Sequence, residues 1–199
     1  MVRLGQDKRL LLDALAAEFL DNYAKGRTMI AIDGAQDSAE FADALAARLG
    51  RGRHAVFRAS MDRFLKPRAE RLARGHDAAD GDYNGAFDYE LVRRVLIGPF
   101  KLGGSAGFVT AAFDADRDVP ITMQFKTGPQ DATLIVDGRF LNRPELRGLW
   151  NFSVWLDESG EAPPAQKLYV AEANPRARAS AIVDYREPGH PTRLFADSC

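Results

Sequence analysis

Thr28-Met29-Ile30-Ala31-Ile32-Asp33 is an apolar run that ends in a carboxylate. Gly34 follows as a turn residue, and Asp37-Ser38 opens an amphipathic stretch that runs to about Leu49. A buried strand, a glycine turn and a helix N-terminus in that order make a cradle for a nucleotide's phosphates, because backbone amides converge on the turn. In the full motif G-x-x-x-x-G-K-[ST], a lysine and a magnesium-binding hydroxyl complete the site. Counting from Gly34, those last three positions hold Ala39, Glu40 and Phe41. The remnant of such a loop is therefore Gly34, Asp37, Ser38, Ala39 and Glu40. A carboxylate at the lysine position replaces attraction with repulsion of roughly 4 kcal/mol per charge pair at ~4 Å and an effective dielectric of ~20. A micromolar affinity rests on only about 8 kcal/mol, and Asp37 adds a second negative charge to the same helix start.

Other carboxylates stand at chemically useful places. Asp62, in Ser60-Met61-Asp62-Arg63-Phe64, lies just past an apolar run, at the strand edge where open α/β sheets bind ligands. There it could accept a proton from a substrate hydroxyl; the alternative is a turn or N-cap aspartate. In Gly81-Asp82-Tyr83-Asn84-Gly85-Ala86-Phe87-Asp88-Tyr89, Asp82 could bind sugar hydroxyls while Tyr83 packs against a ring. Asp88 and Phe87 read instead as an N-cap and a hydrophobic staple for the following helix. Phe113-Asp114 ends another apolar run and keeps both readings. Val136-Asp137-Gly138 ends a further run, where nucleotide-hydrolysing folds often keep a magnesium-binding carboxylate, although Asp-Gly is also a common turn. His54, His76 and His190 lack metal-ligand spacing and receive no role.

The elements that must position these residues follow from periodicity. Leu10, Leu11, Ala14, Leu15, Phe19 and Leu20 recur at helical spacing and predict a helix over about 6–24. Phe41, Leu45 and Leu49 form the buried stripe of the helix after Gly34. Apolar runs at 55–57, 108–113, 133–136, 152–156 and 181–183 fit strands covered on both faces, the mark of a parallel sheet. The expected fold class is α/β in three layers, a single domain over 1–199 with its core in 28–199. Residues 67–86 read as a long functional loop or broken helix, and 158–166 as a short connector with turn chemistry.

Composition bounds the partners. The chain has 199 residues, 46% hydrophobic and 28% charged, as an ordinary globular protein does. Its 27 basic and 28 acidic side chains are mixed along the sequence, with no basic stripe that would recommend nucleic acid or a membrane surface. No apolar run approaches a membrane span and no secretory pattern opens the chain, so a cytoplasmic protein is expected. The single Cys199 excludes an intramolecular disulfide and any cysteine-based metal site. A small-molecule ligand and a homo-oligomer remain open.

Together these segments resemble the uridine kinase and phosphoribulokinase group of P-loop kinases, especially its small bacterial uridine kinase-like members. The matching pieces, in order, are Ile32-Asp33-Gly34, Ser60 to Phe64, Arg71 and Arg74, Asp82-Tyr83 with Ala86-Phe87-Asp88, Phe113-Asp114, Val136-Asp137-Gly138 with Phe140-Leu141, Pro144-Glu145-Leu146, Leu156-Asp157 and Leu168-Tyr169. The resemblance implies a P-loop NTPase-like fold with a five-stranded, mainly parallel sheet flanked by helices. It also implies ATP and Mg2+ at the loop after the first strand, and an acceptor near Asp62. In it Asp62 matches the catalytic aspartate, Asp82 the residue that binds ribose hydroxyls, and Asp137 the acidic residue at the end of the third core strand. Arg71, Arg74 and Tyr83 join the substrate side. Phe113 sits where nucleoside kinases often present a tyrosine near the base.

Two departures oppose ordinary kinase chemistry. The phosphate loop lacks Gly-Lys-Thr in either alignment. After Asp157 the group has a helix, an arginine-bearing lid and another helix, whereas here nine residues with two prolines run from Glu158 to Gln166, which leaves no room for the lid. ATP and Mg2+, implied by the resemblance, are thus doubtful. The expected protein is a uridine kinase-like chain impaired or inactive in phosphoryl transfer that still binds a nucleoside, a sugar or another small hydroxylated ligand. The alternatives are an active kinase in which Lys66 or Arg63 reaches the phosphates, and a non-catalytic regulatory or scaffolding protein.

Overall fold

The computed structural model describes residues 5–73 and 78–195. Helix α1 (Gln6–Tyr23) leads into β1 (Arg27–Asp33), α2 (Ser38–Leu49) and β2 (Ala55–Ser60). Short helices α3 (Arg68–Ala73) and α4 (Ala78–Gly85) follow, so the described parts of 67–86 are mainly helical. Then come α5 (Tyr89–Leu91), a π-helical turn over Val92–Ile97 and α6 (Gly98–Leu102). Four two-residue strands come next, β3 (Phe108–Val109), β4 (Phe113–Asp114), β5 (Val119–Pro120) and β6 (Phe125–Lys126). The chain closes with β7 (Ala132–Gly138), β8 (Phe152–Asp157), α7 (Pro164–Ala173), α8 (Pro175–Arg178), β9 (Ala181–Asp184) and β10 (Thr192–Leu194).

Six strands form the central sheet in the order β10-β9-β8-β1-β7-β2. The five from β9 to β2 are parallel, as expected, and β10 adds an antiparallel sixth at the edge. Alternate side chains of β1 face opposite layers. Met29 and Ala31 join a core with Phe87, Val92, Phe100, Phe140 and Tyr169, while Ile30 and Ile32 join one with Leu12, Leu15 and Phe19 of α1 and Phe41 and Leu45 of α2. That two-sided burial is why the strands read as apolar throughout rather than alternating.

The run 108–113 is not a core strand, which corrects the expectation. Its two ends belong to separate ribbons, β3 with β6 and β4 with β5. The run is apolar because it packs over the sheet. The Phe108 ring meets Phe57 and Phe100 edge-on, at 4.9 and 5.2 Å between centroids. The connector after β8 is shorter than expected, since Pro164 already opens α7 with a proline in the first turn. Among the described residues no helix is long and apolar enough to cross a membrane.

Candidate functional site: the loop after β1

In a parallel sheet the loops after neighbouring strands lie side by side. Here the loop after β8 lies beside the loop after β1, and Glu158 reaches across. Its Oε2 accepts the amide of Ala35 at 2.7 Å, and its Oε1 accepts those of Gln36 at 3.0 Å and Asp37 at 3.1 Å. A carboxylate of the chain itself therefore sits on the converging amides where a phosphate cradle would hold its anion. Gly34 is needed for this close approach: a Cβ there would stand 3.0 Å from Glu158 Oε1 and 3.1 Å from a Leu156 methyl. The Gly34 amide donates to the carbonyl of Gly138 at 3.2 Å, which ties the turn to the end of β7.

The other ligand charges have internal substitutes too. Arg58, on β2, donates from Nη2 to Asp137 Oδ1 at 2.7 Å and from Nε to Asp43 at 2.8 Å, with a longer contact to the Ala39 carbonyl in the first turn of α2. Its guanidinium thus occupies the space between the acid ending β7 and the helix start. Asp137 is buried. Desolvation raises its pKa, Arg58 and a hydrogen bond from Ser60 pull it down, and the neighbouring Asp62 charge raises it again, leaving it above the ordinary carboxylate value. Replacing Arg58 with Met should destabilise the fold by about 2 kcal/mol in chemical denaturation, more at pH 8 than at pH 5, because a buried Asp137 without its partner must either stay charged or take up a proton. Equal losses at both pH values would show that Asp137 does not depend on Arg58.

Glu40, at the position of the motif lysine, is held by Lys8 of α1 at 2.7 Å. The buried Lys8 ammonium also donates to the Tyr185 hydroxyl at 2.9 Å. Burial pushes this ammonium down, but its bonds to Glu40 and Tyr185 outweigh that and leave its pKa raised. Ser38 is buried at the start of α2, and Asp37, although in the N-cap position, makes no side-chain cap. Asp33 is fully buried beneath this loop, where Asn142 and Tyr169 donate to its Oδ2. A cavity of about 330 Å³ lies beside Ala35, Gln36, Trp155, Glu158, Pro163 and Gln166.

On the acceptor side, Asp62 is exposed on the turn Met61–Phe64, with its amide donating to Ser60 Oγ at 3.4 Å. Ser60, rather than Asp62, is the N-cap. Asp82 is taken by Arg139, whose Nη1 and Nη2 donate to its two oxygens at 2.6 and 3.2 Å, and the same guanidinium lies over Phe140. Tyr83 is only 1% exposed and packs edge-on against Phe140, so it is a core residue rather than a face for a ligand ring. Phe113, 4% exposed on β4, is likewise buried against the protein and does not face a base. Arg71 spends its Nε on the Lys66 carbonyl at 3.0 Å and lies 3.8 Å from Asp118, joining α3 to the ribbons. Arg74 and His76 lie outside the described residues. Asp88 caps the next helix as expected, accepting the Leu91 amide at 2.9 Å.

Sequence reasoning missed Glu158, Arg58, Lys8 and Arg139. For Glu158 the usable signal is its place directly after a strand that neighbours β1, which requires the strand order. The residues present do not fit Mg-ATP: the amides, the acid ending β7 and the lysine position are each engaged by the chain's own charges. Among the described residues, no cluster of three or more His, Cys, Asp or Glu side chains could hold a metal.

No protein-family model matches the chain, and no curated protein does. Solved structures do match. A possible uridine kinase from Bacillus stearothermophilus superposes with a TM-score of 0.77 at 23% identity, covering 88% of this chain and 98% of that one. A candidate fructose transport system kinase from a Silicibacter species gives 0.59 at 23% identity, over 90% and 86% of the two chains. A D-glycerate 3-kinase from Cryptococcus neoformans gives 0.52 at 10% identity, over 78% and 73%. The chain has the P-loop kinase-like fold of these proteins.

Proposed function

We propose that this chain is a uridine kinase-like protein whose nucleotide-donor half is filled by its own side chains. It does not carry out ordinary ATP-dependent phosphoryl transfer. Its acceptor half, around Asp62 and Asp82, keeps affinity for a small hydroxylated ligand such as a nucleoside or sugar. The observation that carries this reading is the Glu158 carboxylate on the amides of Ala35, Gln36 and Asp37. An incoming phosphate must displace it and then bind beside Asp37 without a loop lysine, the Lys8 ammonium being spent on Glu40. Arg58 on Asp137 supports the same reading from the metal side.

Calorimetry with Mg-ATP, and separately with a panel of nucleosides and sugars, tests both halves. Mg-ATP is expected to give no saturable heat up to millimolar concentration, while at least one hydroxylated compound binds and Asp62→Asn or Asp82→Asn weakens it. Micromolar Mg-ATP binding overturns the donor half of the proposal. Silence across the whole panel overturns the acceptor half and favours a scaffolding role. Turnover in a phosphoryl-transfer screen, lost in Asp62→Asn, establishes the active-kinase alternative.

A further inference from the structure

At the opposite end of β1 from the phosphate loop, about 20 Å away along the strand, stands a second charged feature that the donor and acceptor halves do not use. Arg27 opens β1 with its guanidinium 4.9 Å over the Phe100 ring and its Nη2 donating to the Gly128 carbonyl at 2.6 Å. Its Nε and Nη1 are buried and have no partner among the described residues. A guanidinium satisfied by one neutral carbonyl and a ring face keeps a full charge without an anion, an arrangement that is costly unless a counter-charge completes it.

The surroundings suit such a counter-charge. A cavity of about 430 Å³ is lined by Gly26, Arg27, Lys101, Gly103, Gly104 and Gln130, and among the described residues no carboxylate lines it. Lys101 projects from α6 and is exposed, supplying a second cation. Asp131, next to Gln130, spends Oδ1 on the Gly26 amide at 2.7 Å. Gly103, at φ 64°, packs beside the Arg27 side chain, where a Cβ would stand 3.6 Å from Nε and narrow the cavity. Only a residue without a side chain both adopts that backbone readily and leaves the space open.

We propose that Arg27, Lys101 and the glycine-walled cavity between them form a binding site for a small oxyanion, of phosphate or polycarboxylate type. Planar guanidinium N–H groups and a mobile ammonium are the donors such oxygens take, and two cations raise the local anion concentration. The site is separate from the donor-half reading and stands whether or not that reading holds.

Titration of the full chain with inorganic phosphate and, separately, with citrate, followed by calorimetry at constant ionic strength with sodium chloride as the control, tests it. At least one of the two is expected to bind saturably, and the tighter one names the oxyanion class. Lys101→Glu, an exposed change, is expected to weaken binding at least tenfold. Arg27→Gln should abolish it, with circular dichroism checking the fold. Failure of both anions to bind above the chloride control, or binding that Lys101→Glu leaves intact, overturns the proposal.

Discussion

Replacing Glu158 with alanine is expected to lower the melting temperature by about 6–12 °C and to give the loop after β1 an affinity for phosphate that the parent loop lacks. The carboxylate accepts three amide hydrogen bonds. Bonds to a charged acceptor contribute about 1.5–3 kcal/mol each when desolvated. Glu158 is only half-buried, and water reaches the amides once it is removed, so a net loss of about 3 kcal/mol is the reasonable figure. At about 2–4 °C per kcal/mol for a chain of this length, that gives the range stated. The exposed amides then accept an external anion, which restores about 1.4 kcal/mol when present at ten times its dissociation constant. Thermal unfolding of variant and parent at matched phosphate concentrations separates this gain from binding elsewhere, because only the difference between them belongs to the loop. Glu158→Gln, which keeps one accepting oxygen but no charge, should fall between the two. A variant as stable as the parent, with the same response to phosphate, would sink the idea that Glu158 serves as the loop's built-in anion.

The strands around this site were legible because each is buried on both faces: β1, β7, β8 and β9 all appear as apolar runs ending close to where the strand ends. The run 108–113 carried the same signal for a different reason, since burial above a sheet and burial within one leave the same composition. Strand β10 escaped notice because a three-residue edge strand has too few positions for any period. At the site, Gly34, Asp62 and Asp137 could be found from their places at strand ends, and Asp82 from the glycine and aromatic residues around it. Tyr83 could not be sorted from sequence, because an aromatic beside a glycine turn suits a ligand ring and a core equally well. The partners Glu158, Arg58, Lys8 and Arg139 were illegible for a deeper reason. Each acts across the fold on a residue distant in the chain, as Lys8 does on Glu40 and Tyr185, and only the sheet order brings them together.

These partners give the loss of the motif a physical shape. Removing a lysine from a phosphate loop by chance leaves amides unsatisfied and an acid at the metal position unpaired, both of which cost stability. Here each such deficit is met: Glu158 satisfies the amides, Arg58 neutralises Asp137, and Lys8 neutralises Glu40. On the proposed reading, Glu158 and Arg58 also oppose the ligand, because they take the places of its phosphate and its metal, whereas Lys8 only offsets the charge of Glu40. On that reading, stability and nucleotide binding are set against one another at this loop.

Asp33→Asn is expected to reshape the pH dependence of stability. Asp33 is fully buried at the end of β1, where its Oδ2 receives the Tyr169 hydroxyl, the Asn142 side-chain amide at 2.8 Å and the Asn142 backbone amide at 3.2 Å, while its Oδ1 has no partner among the described residues. Desolvation raises its carboxyl from the ordinary 3.8 to about 6, and the hydrogen bonds from Tyr169 and Asn142 only partly oppose the rise. Between those two values the folded chain still holds a proton that the unfolded chain has released. This group's contribution to stability is therefore complete below pH 3.8 and is lost as the pH rises through about 6. Two pKa units correspond to roughly 3 kcal/mol. Asparagine cannot ionise, keeps an oxygen for the three donors, and turns a neutral amide toward the side where Oδ1 stood alone. The variant should thus gain roughly 3 kcal/mol relative to the parent between pH 3 and pH 8, with most of the change between pH 4 and pH 6. Urea unfolding of both proteins across that range reads the difference directly, since contributions from every other titrating group cancel. Parallel profiles would mean that Asp33 titrates at its ordinary value. Profiles that separate with rising pH in the expected sign would mean that the carboxyl beneath the loop after β1 is held protonated in mildly acidic conditions.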